Sequence, residues 1–489
     1  MSIRLTVLCF LFYPFLHAQN DGSVISPELP FYIDQAKKLP DFELEDKKEG
    51  AFLTGLPRFE FDPIRGFGAG GNIFLFFNGD KSDPFFEYTP YRHRVSGEFF
   101  VFENGRIRYE FKYDAPYIFN SKWRLRADAV YWEDPNAQYW GFGRSSSNRR
   151  LTFRDKTNPG VGMATFRSVR DYEENLSIAE QDVDGIWRTD HHFNQFIQRE
   201  QLYNFLGERV MMGGKLRFMF GYEALFTGFE SYGGRTAEEA FDIEGNEVPA
   251  INNETLIEQQ KRDGTWERFN LSGFDQIGNG RFNFTSMLAG ALIYDTRDFE
   301  PDPSNGLFLQ YSHEYSAPWL GSMFNFNKMM LQGQFIKTLK RWKNNKNRIT
   351  FAGLAALGHV WGPNINFIEM WDLSSQAEAG GILVLGGERS LRGYREARFM
   401  APTIALVNLE MRSRLYDFKL LNQKFNIGLT PFFDFGNVFD GLDQMSFKRW
   451  RGAPGIGARM AWNQSTIVRL DYAQSPEGSQ VFFGFNHIF

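Results

Sequence analysis

The sequence predicts an all-β fold, a transmembrane antiparallel β-barrel of about sixteen strands, and three observations carry that expectation. From about residue 56 onward, strand-length segments alternate apolar and polar residues with a period of two. Aromatic residues make up 17% of the 489 positions, with 53 Phe and 47 Gly, a composition that suits many strands with aromatic outward faces. The connections between segments alternate short and long, as expected of turns on one side of a membrane and loops on the other.

The first eighteen residues read as a secretory signal, with Arg4 before an apolar run from Leu5 to Leu16 and the small Ala18 at the cleavage position. Residues 19–50 are polar and carry Pro27, Pro30 and Pro40, which predicts a periplasmic linker, and residues 51–489 are assigned to the barrel. The single cysteine, Cys9, lies inside the signal, so disulfides, cysteine metal sites and cysteine nucleophiles are not expected. Past the signal no apolar run is long enough for a transmembrane helix, so a membrane role falls to strands.

Two segments show the strand pattern well. Ile107, Tyr109, Phe111 and Tyr113 share one face, opposite Arg108, Glu110, Lys112 and Asp114; Trp123, Leu125, Ala127 and Ala129 oppose Arg124, Arg126 and Asp128. A soluble sandwich would bury the apolar face as its core, but a second face densely charged with both signs fits a polar lumen. Backbone groups in lipid must all be paired, so strands that cross have to close into a barrel. Candidate strands run from residues 56–62 to 480–489, with long loops near 134–195, 230–283 and 362–401. The last strand is expected to reach the chain end, with Val481, Phe483, Phe485, His487 and Phe489 on one face.

A net charge of -5 argues against nucleic acid as a partner. No HExxH, Walker or strand-to-helix G-x-G-x-x-G motif is present, so no cofactor and no enzymatic activity are expected. His313 falls on the outward face with Leu307, Leu309 and Tyr311. Asp182, Asp184, Asp190, His191 and His192 share one long loop; this reads as solvation rather than a cation site, and no metal is expected.

One stretch organises the C-terminal half: Gly386-Gly387-Glu388-Arg389-Ser390-Leu391-Arg392-Gly393-Tyr394. It resembles the sixth-loop motif, V-R-G-F or L-R-G-Y, of the BamA/TamA superfamily of outer-membrane barrels. Asp295-Thr296-Arg297-Asp298 with Pro303 and Gly306 resembles that family's turn between two mid-barrel strands. Asn408-Leu409-Glu410 and Phe432-Phe433-Asp434-Phe435-Gly436-Asn437 are similar to its next two strand motifs, in the same order. The N-terminal half supports the fold by pattern alone.

The resemblance implies an outer-membrane barrel whose long loop folds into the lumen, with Arg392 meeting Asp434 and Glu410 on the wall. Strand parity agrees, since both carboxylates fall on the polar faces. Gly393 would allow a sharp turn and Tyr394 would pack on the wall. Glu388, Arg389 and Arg395 read as solvated loop charges. The family's function implies insertion or translocation of proteins at the outer membrane, with membrane lipid and client outer-membrane proteins as partners. The short segment before the first strand leaves no room for periplasmic POTRA domains, so a separate periplasmic partner is an expectation. A solute or lipid channel gated by residues 386–394 and a structural surface antigen are the alternatives.

Overall fold

The structure, a computed structural model, describes residues 28–39, 44, 47–62, 66–144, 150–237, 240–274, 282–298, 302–342, 347–371, 385–420, 423–462, 466–485 and 487–489. The signal expected at residues 1–18 lies outside the described residues.

Sixteen long strands form the barrel wall. They are β1 (Ala51–Asp62), β2 (Gly66–Phe77), β3 (His93–Phe102), β4 (Ile107–Ala115), β5 (Trp123–Gln138), β6 (Gln195–Met211), β7 (Leu216–Ser231) and β8 (Asn283–Asp295). They continue as β9 (Asn305–Ser316), β10 (Asn325–Trp342), β11 (Asn347–Asn366), β12 (Thr403–Arg414, resuming at Tyr416–Leu420), β13 (Gln423–Phe439), β14 (Arg451–Trp462), β15 (Thr466–Ser475) and β16 (Gly478–Phe485). Each strand pairs antiparallel with the next in sequence, an up-and-down meander from β1 to β16.

The two-residue period sorts side chains as its chemistry dictates. Phe99, Phe111, Phe220, Leu309, Phe335 and Leu429 are exposed on the outer face, whereas Gln332, Asn408, Glu410, Asp434 and Asp471 are buried inside. Several strands outrun the alternating segments: β1 begins at Ala51 and β11 continues to Asn366. Backbone pairing carries them on, as in the β10–β11 ladder that reaches Asn325 opposite Asn364. The two ends of the meander meet where β1 lies beside β16, and no ladder joins them among the described residues.

The chain's end departs from the expected strand. β16 stops at Phe485, and the last three residues turn into the lumen at the short-turn end. His487 Nε2 lies 3.2 Å from Asp302 Oδ1, Ile488 is buried, and Arg412 Nη2 donates to the terminal Phe489 oxygen at 2.8 Å. Arg412 also covers the Phe489 ring, 4.6 Å from its centroid. Burial raises the Asp302 carboxyl, but Arg414, His487 and Arg348 outweigh it and hold the group well below the usual carboxylate range.

The segment read as a linker is docked along the short-turn end. Ile33 packs with Phe85, Tyr117 and Val210, the Asp34 N–H donates to Gly213 O at 2.8 Å, and Lys215 pairs with Asp34 at 2.7 Å. Leu39 N–H donates to Glu87 O, and Lys47 Nζ donates to Thr89 O at 2.6 Å. The segment thus runs beneath the β2–β3, β4–β5 and β6–β7 turns.

At the opposite end the long loops pack on one another. Helix α1 (Val169–Ser177) starts at Ser168, whose side chain accepts from Asp171 N, and helix α2 (Leu256–Arg262) carries a capping box between Thr255 and Glu258. Tyr139, Phe142, Trp266, Phe274 and Phe367 form an apolar core with Phe196 and Phe229 of the wall. This core caps the barrel. Within the same loops His192 stacks on Tyr232, with ring centroids 3.8 Å apart, and its Nδ1 lies 3.0 Å from Asn252 Oδ1.

Burial, with His191 beside it, pushes His192 down to about 4. A group depressed in this way contributes stability above its unfolded value that is lost as pH falls from about 6.5 through 4, here up to about 3 kcal/mol. The expected result is a cap that melts earlier at pH 4.5 than at pH 7.5 by tryptophan fluorescence. His192→Gln should remove most of that difference, and an equal pH response in both proteins would count against the assignment.

Candidate functional site

The stretch Leu385–Tyr394 enters the lumen between the cap and the wall. Gly386 (φ +118) and Gly393 (φ +108) adopt left-handed backbone, and a Cβ on Gly386 would stand 2.3 Å from Arg395 O. Ser390 Oγ donates to Gly386 O and accepts from Gly386 N–H, closing the loop on itself.

This geometry delivers Arg392, fully buried, to the wall. Its Nε and Nη2 donate to the two Asp434 oxygens at 2.8 Å each, and its own backbone N–H donates to Asp434 Oδ2 at 3.1 Å. Nη1 donates to Glu410 Oε1 at 2.8 Å and to Asp471 Oδ2 at 3.1 Å. The guanidinium carbon sits 3.4 Å from the centroid of the Phe432 ring, so the face of the ion is covered as well as its edges. Asn408 Nδ2 ties Asp434 Oδ1 to Ser390 O, at 2.7 Å to each.

Three more arginines complete the charge balance. Arg412 Nε donates to Glu410 Oε2 at 2.8 Å, Arg459 and Arg469 both reach Asp471, and Arg469 also pairs with Glu388 of the loop. Four guanidinium groups (Arg392, Arg412, Arg459, Arg469) therefore face four carboxylates (Glu388, Glu410, Asp434, Asp471), all of them buried except the half-buried Glu388. Such a cluster is stable only when complete, because each missing partner strands a buried charge.

The neighbouring residues fit the loop to this place. A Cβ on Gly436 would meet the Leu385 side chain at 2.4 Å, so any larger residue there would force that leucine to shift. Tyr394 is buried edge-on to Phe399, with centroids 5.1 Å apart. Arg395, expected to be solvated, donates to Glu173 of α1 at 2.6 Å, and Glu388 is likewise bonded; Arg389 is exposed. Arg398 grips Glu477 of the β15–β16 turn through two bonds of 2.8 Å.

A Cβ at position 393 would lie 3.1 Å from both Ala453 Cβ and Gln474 O, on backbone that L-residues rarely adopt. Gly393→Ala is accordingly expected to cost about 1–3 kcal/mol. The measurement is the temperature at which the folded barrel loses its fast gel migration, and Arg389→Ala should leave it unchanged.

The turn residues form a second cluster, at the short-turn end. Arg297 donates to both Asp295 oxygens at 3.0 and 3.1 Å and reaches Gln334 at 3.3 Å; Arg217 donates to Asp295 at 3.3 Å. Gly306 (φ +139) lies against Arg297, whose Cα a Cβ would approach to 2.5 Å. Lys37 of the docked N-terminal segment comes within 4.0 Å of Asp295.

Sequence reasoning passed over Asp471, Arg412, Arg459 and Arg469 as site residues. Their parity was readable, since Asp471 and Arg469 oppose Val468, Leu470 and Tyr472, but nothing in one strand names its partner across a lumen. The acidic loop residues gather no cation site: Asp182 accepts from the backbone of Asp184 and Ile186 and from Arg188, and no cluster suited to a metal exists among the described residues.

A closed meander of sixteen strands with an apolar outer face, holding a loop in its lumen through a buried arginine, defines an outer-membrane β-barrel with an internal plug. The chain belongs to the Omp85 superfamily: residues 92–486 match the Omp85 superfamily domain. Residues 29–92 match a domain of unknown function, DUF5982. No curated protein matches the sequence. Among solved structures, BamA from Haemophilus ducreyi lacking POTRA domains 1–3 is similar at 11% identity over 90% of this chain and 70% of that one, with a TM-score of 0.48. CdiB from Acinetobacter baumannii matches at 10% identity (90% and 60% covered, TM-score 0.45), and CdiB from Escherichia coli at 9% (89% and 62%, TM-score 0.49). The chain thus spans about 60% of the length of the two CdiB structures.

Proposed function

We propose that residues 51–489 form a barrel that inserts or translocates proteins at the outer membrane, and that the β1–β16 seam is where a client strand engages. The observation that carries this reading is the seam itself. Every other neighbouring pair of strands shares a ladder of at least eight residue pairs, whereas β1 and β16 lie together with none among the described residues. Strand edges with free backbone groups template the pairing of an incoming strand. The capped long-loop end and the buried plug disfavour the channel reading, because a solute would have to displace an apolar core and a buried ion cluster together.

Photo-crosslinking side chains placed along β1 and β16 test the reading in cells producing outer-membrane clients. Adducts that cluster on these two strands are expected, with background yield from β8 and β9. Equal yields from all four strands, under conditions where an established assembly barrel traps its client, would sink the proposal. Deleting residues 386–394 separates the channel alternative: a rise in single-channel conductance is expected from loss of the plug, and unchanged conductance removes loop gating.

A further inference from the structure

A cavity of about 360 Å³ opens in the long loops, away from the lumen cluster. We propose that it is a binding site for an acidic sugar unit, a pyranose ring bearing one carboxylate. Its size lies within the range of small-ligand pockets.

One wall is aromatic. Trp140, Phe153, Tyr172 and Phe193 line it and pack on one another, Trp140 with Tyr172 at 6.0 Å and Phe153 with Phe193 at 5.1 Å between ring centroids. Rings held in this way offer a rigid surface for the C–H face of a sugar, at little entropic cost. The indole Nε1 of Trp140 is buried beside the cavity without a hydrogen-bond partner among the described residues.

Among the described residues, the charges around the cavity leave a surplus of one cation. Arg154 is paired with Glu180, Arg398 with Glu477 and Asp190 with Lys156, so these ions are neutralised within the chain. Arg150 is exposed at the rim and makes no side-chain bond or ion pair among the described residues. Its guanidinium presents the planar fork that binds a carboxylate through two parallel hydrogen bonds. Gln259 on α2 lines the cavity with an amide that likewise has no partner among the described residues, a donor and an acceptor for ring hydroxyls. An aromatic wall, an unpaired arginine at the rim and an uncommitted amide together select a ring that is apolar on its face, hydroxylated at its edge and acidic at one position.

Saturation-transfer NMR on the detergent-solubilised full chain tests this with D-glucuronate, D-glucose and benzoate as probes. Glucuronate is expected to receive saturation, with D-glucose at least tenfold weaker. Arg150→Gln should weaken glucuronate about tenfold while leaving glucose unchanged, and Phe153→Ala should abolish both, each in protein that keeps its folded gel migration. Raising salt from about 0.05 to 0.5 M should weaken glucuronate binding to the unaltered chain, which tests the ion pair even if a variant does not fold. Absence of saturation transfer, an affinity within twofold of the original after Arg150→Gln, or benzoate binding as tightly as glucuronate would each overturn the assignment.

Discussion

Arg392→Ala is expected to lower the stability of the folded barrel by about 3–5 kcal/mol, since it leaves fully buried carboxylates without a partner. Asp434 loses both of its charge-assisted side-chain bonds to Arg392, while Glu410 and Asp471 keep other guanidinium partners. Asp434→Ala should cost a similar amount, by leaving Arg392 underbonded. The double variant is expected to cost little more than either single change, because each already removes the pair. Fully additive losses in the heat-modification midpoint would show that the two are not energetic partners. Arg392→Lys keeps the charge but cannot span Asp434, Glu410 and Asp471 at once, so it should recover less than half of the loss.

Asp302→Ala is expected to release the C-terminal tail, with a cost again of about 3–5 kcal/mol. Asp302 sits in the β8–β9 turn, pairs with Arg348 at 2.6 Å and with Arg414, and accepts from His487 of the tail. Without it Arg348 and Arg414 lose the carboxylate they share and His487 loses its anchor. Carboxypeptidase release of Phe489 reads the effect: slow from the unaltered barrel and at least tenfold faster from the variant. Equal rates would show that Arg412 alone holds the terminus. Because the Asp302 carboxyl is held well below its ordinary range, its contribution is present at neutral pH and is lost only as pH falls below the usual carboxylate values.

Asp302 matters for the seam as well. The tail ties β16 to the β8–β9 turn across the lumen, while the docked N-terminal segment ties β1 to the β6–β7 turn. Both seam strands are thus anchored on the far side of the barrel at the short-turn end.

The sequence by itself determined the strand count, the two-faced character of each strand and the side on which the long loops lie. These follow from a period of two, which is local and repeats in every strand. It also assigned Glu410 and Asp434 to polar faces, because parity along one strand needs no partner. The tertiary structure alone decided which charges converge: Asp471, Arg459 and Arg412 join Arg392 because the ladder register of β12 to β15 brings their inward faces side by side beneath the inserted loop. The same holds for the two ends of the chain. Polar, proline-bearing residues before β1 read as a linker until the turns above them supply Phe85, Tyr117 and Val210 as a seat for Ile33. The alternation in β16 runs on through Phe489 in sequence, yet His487 and the Phe489 carbonyl find their partners, Asp302 and Arg412, only inside the lumen. Local pattern fixes which way a side chain faces, and the charges that meet are fixed by strand register and by the path of the loop and tail through the lumen.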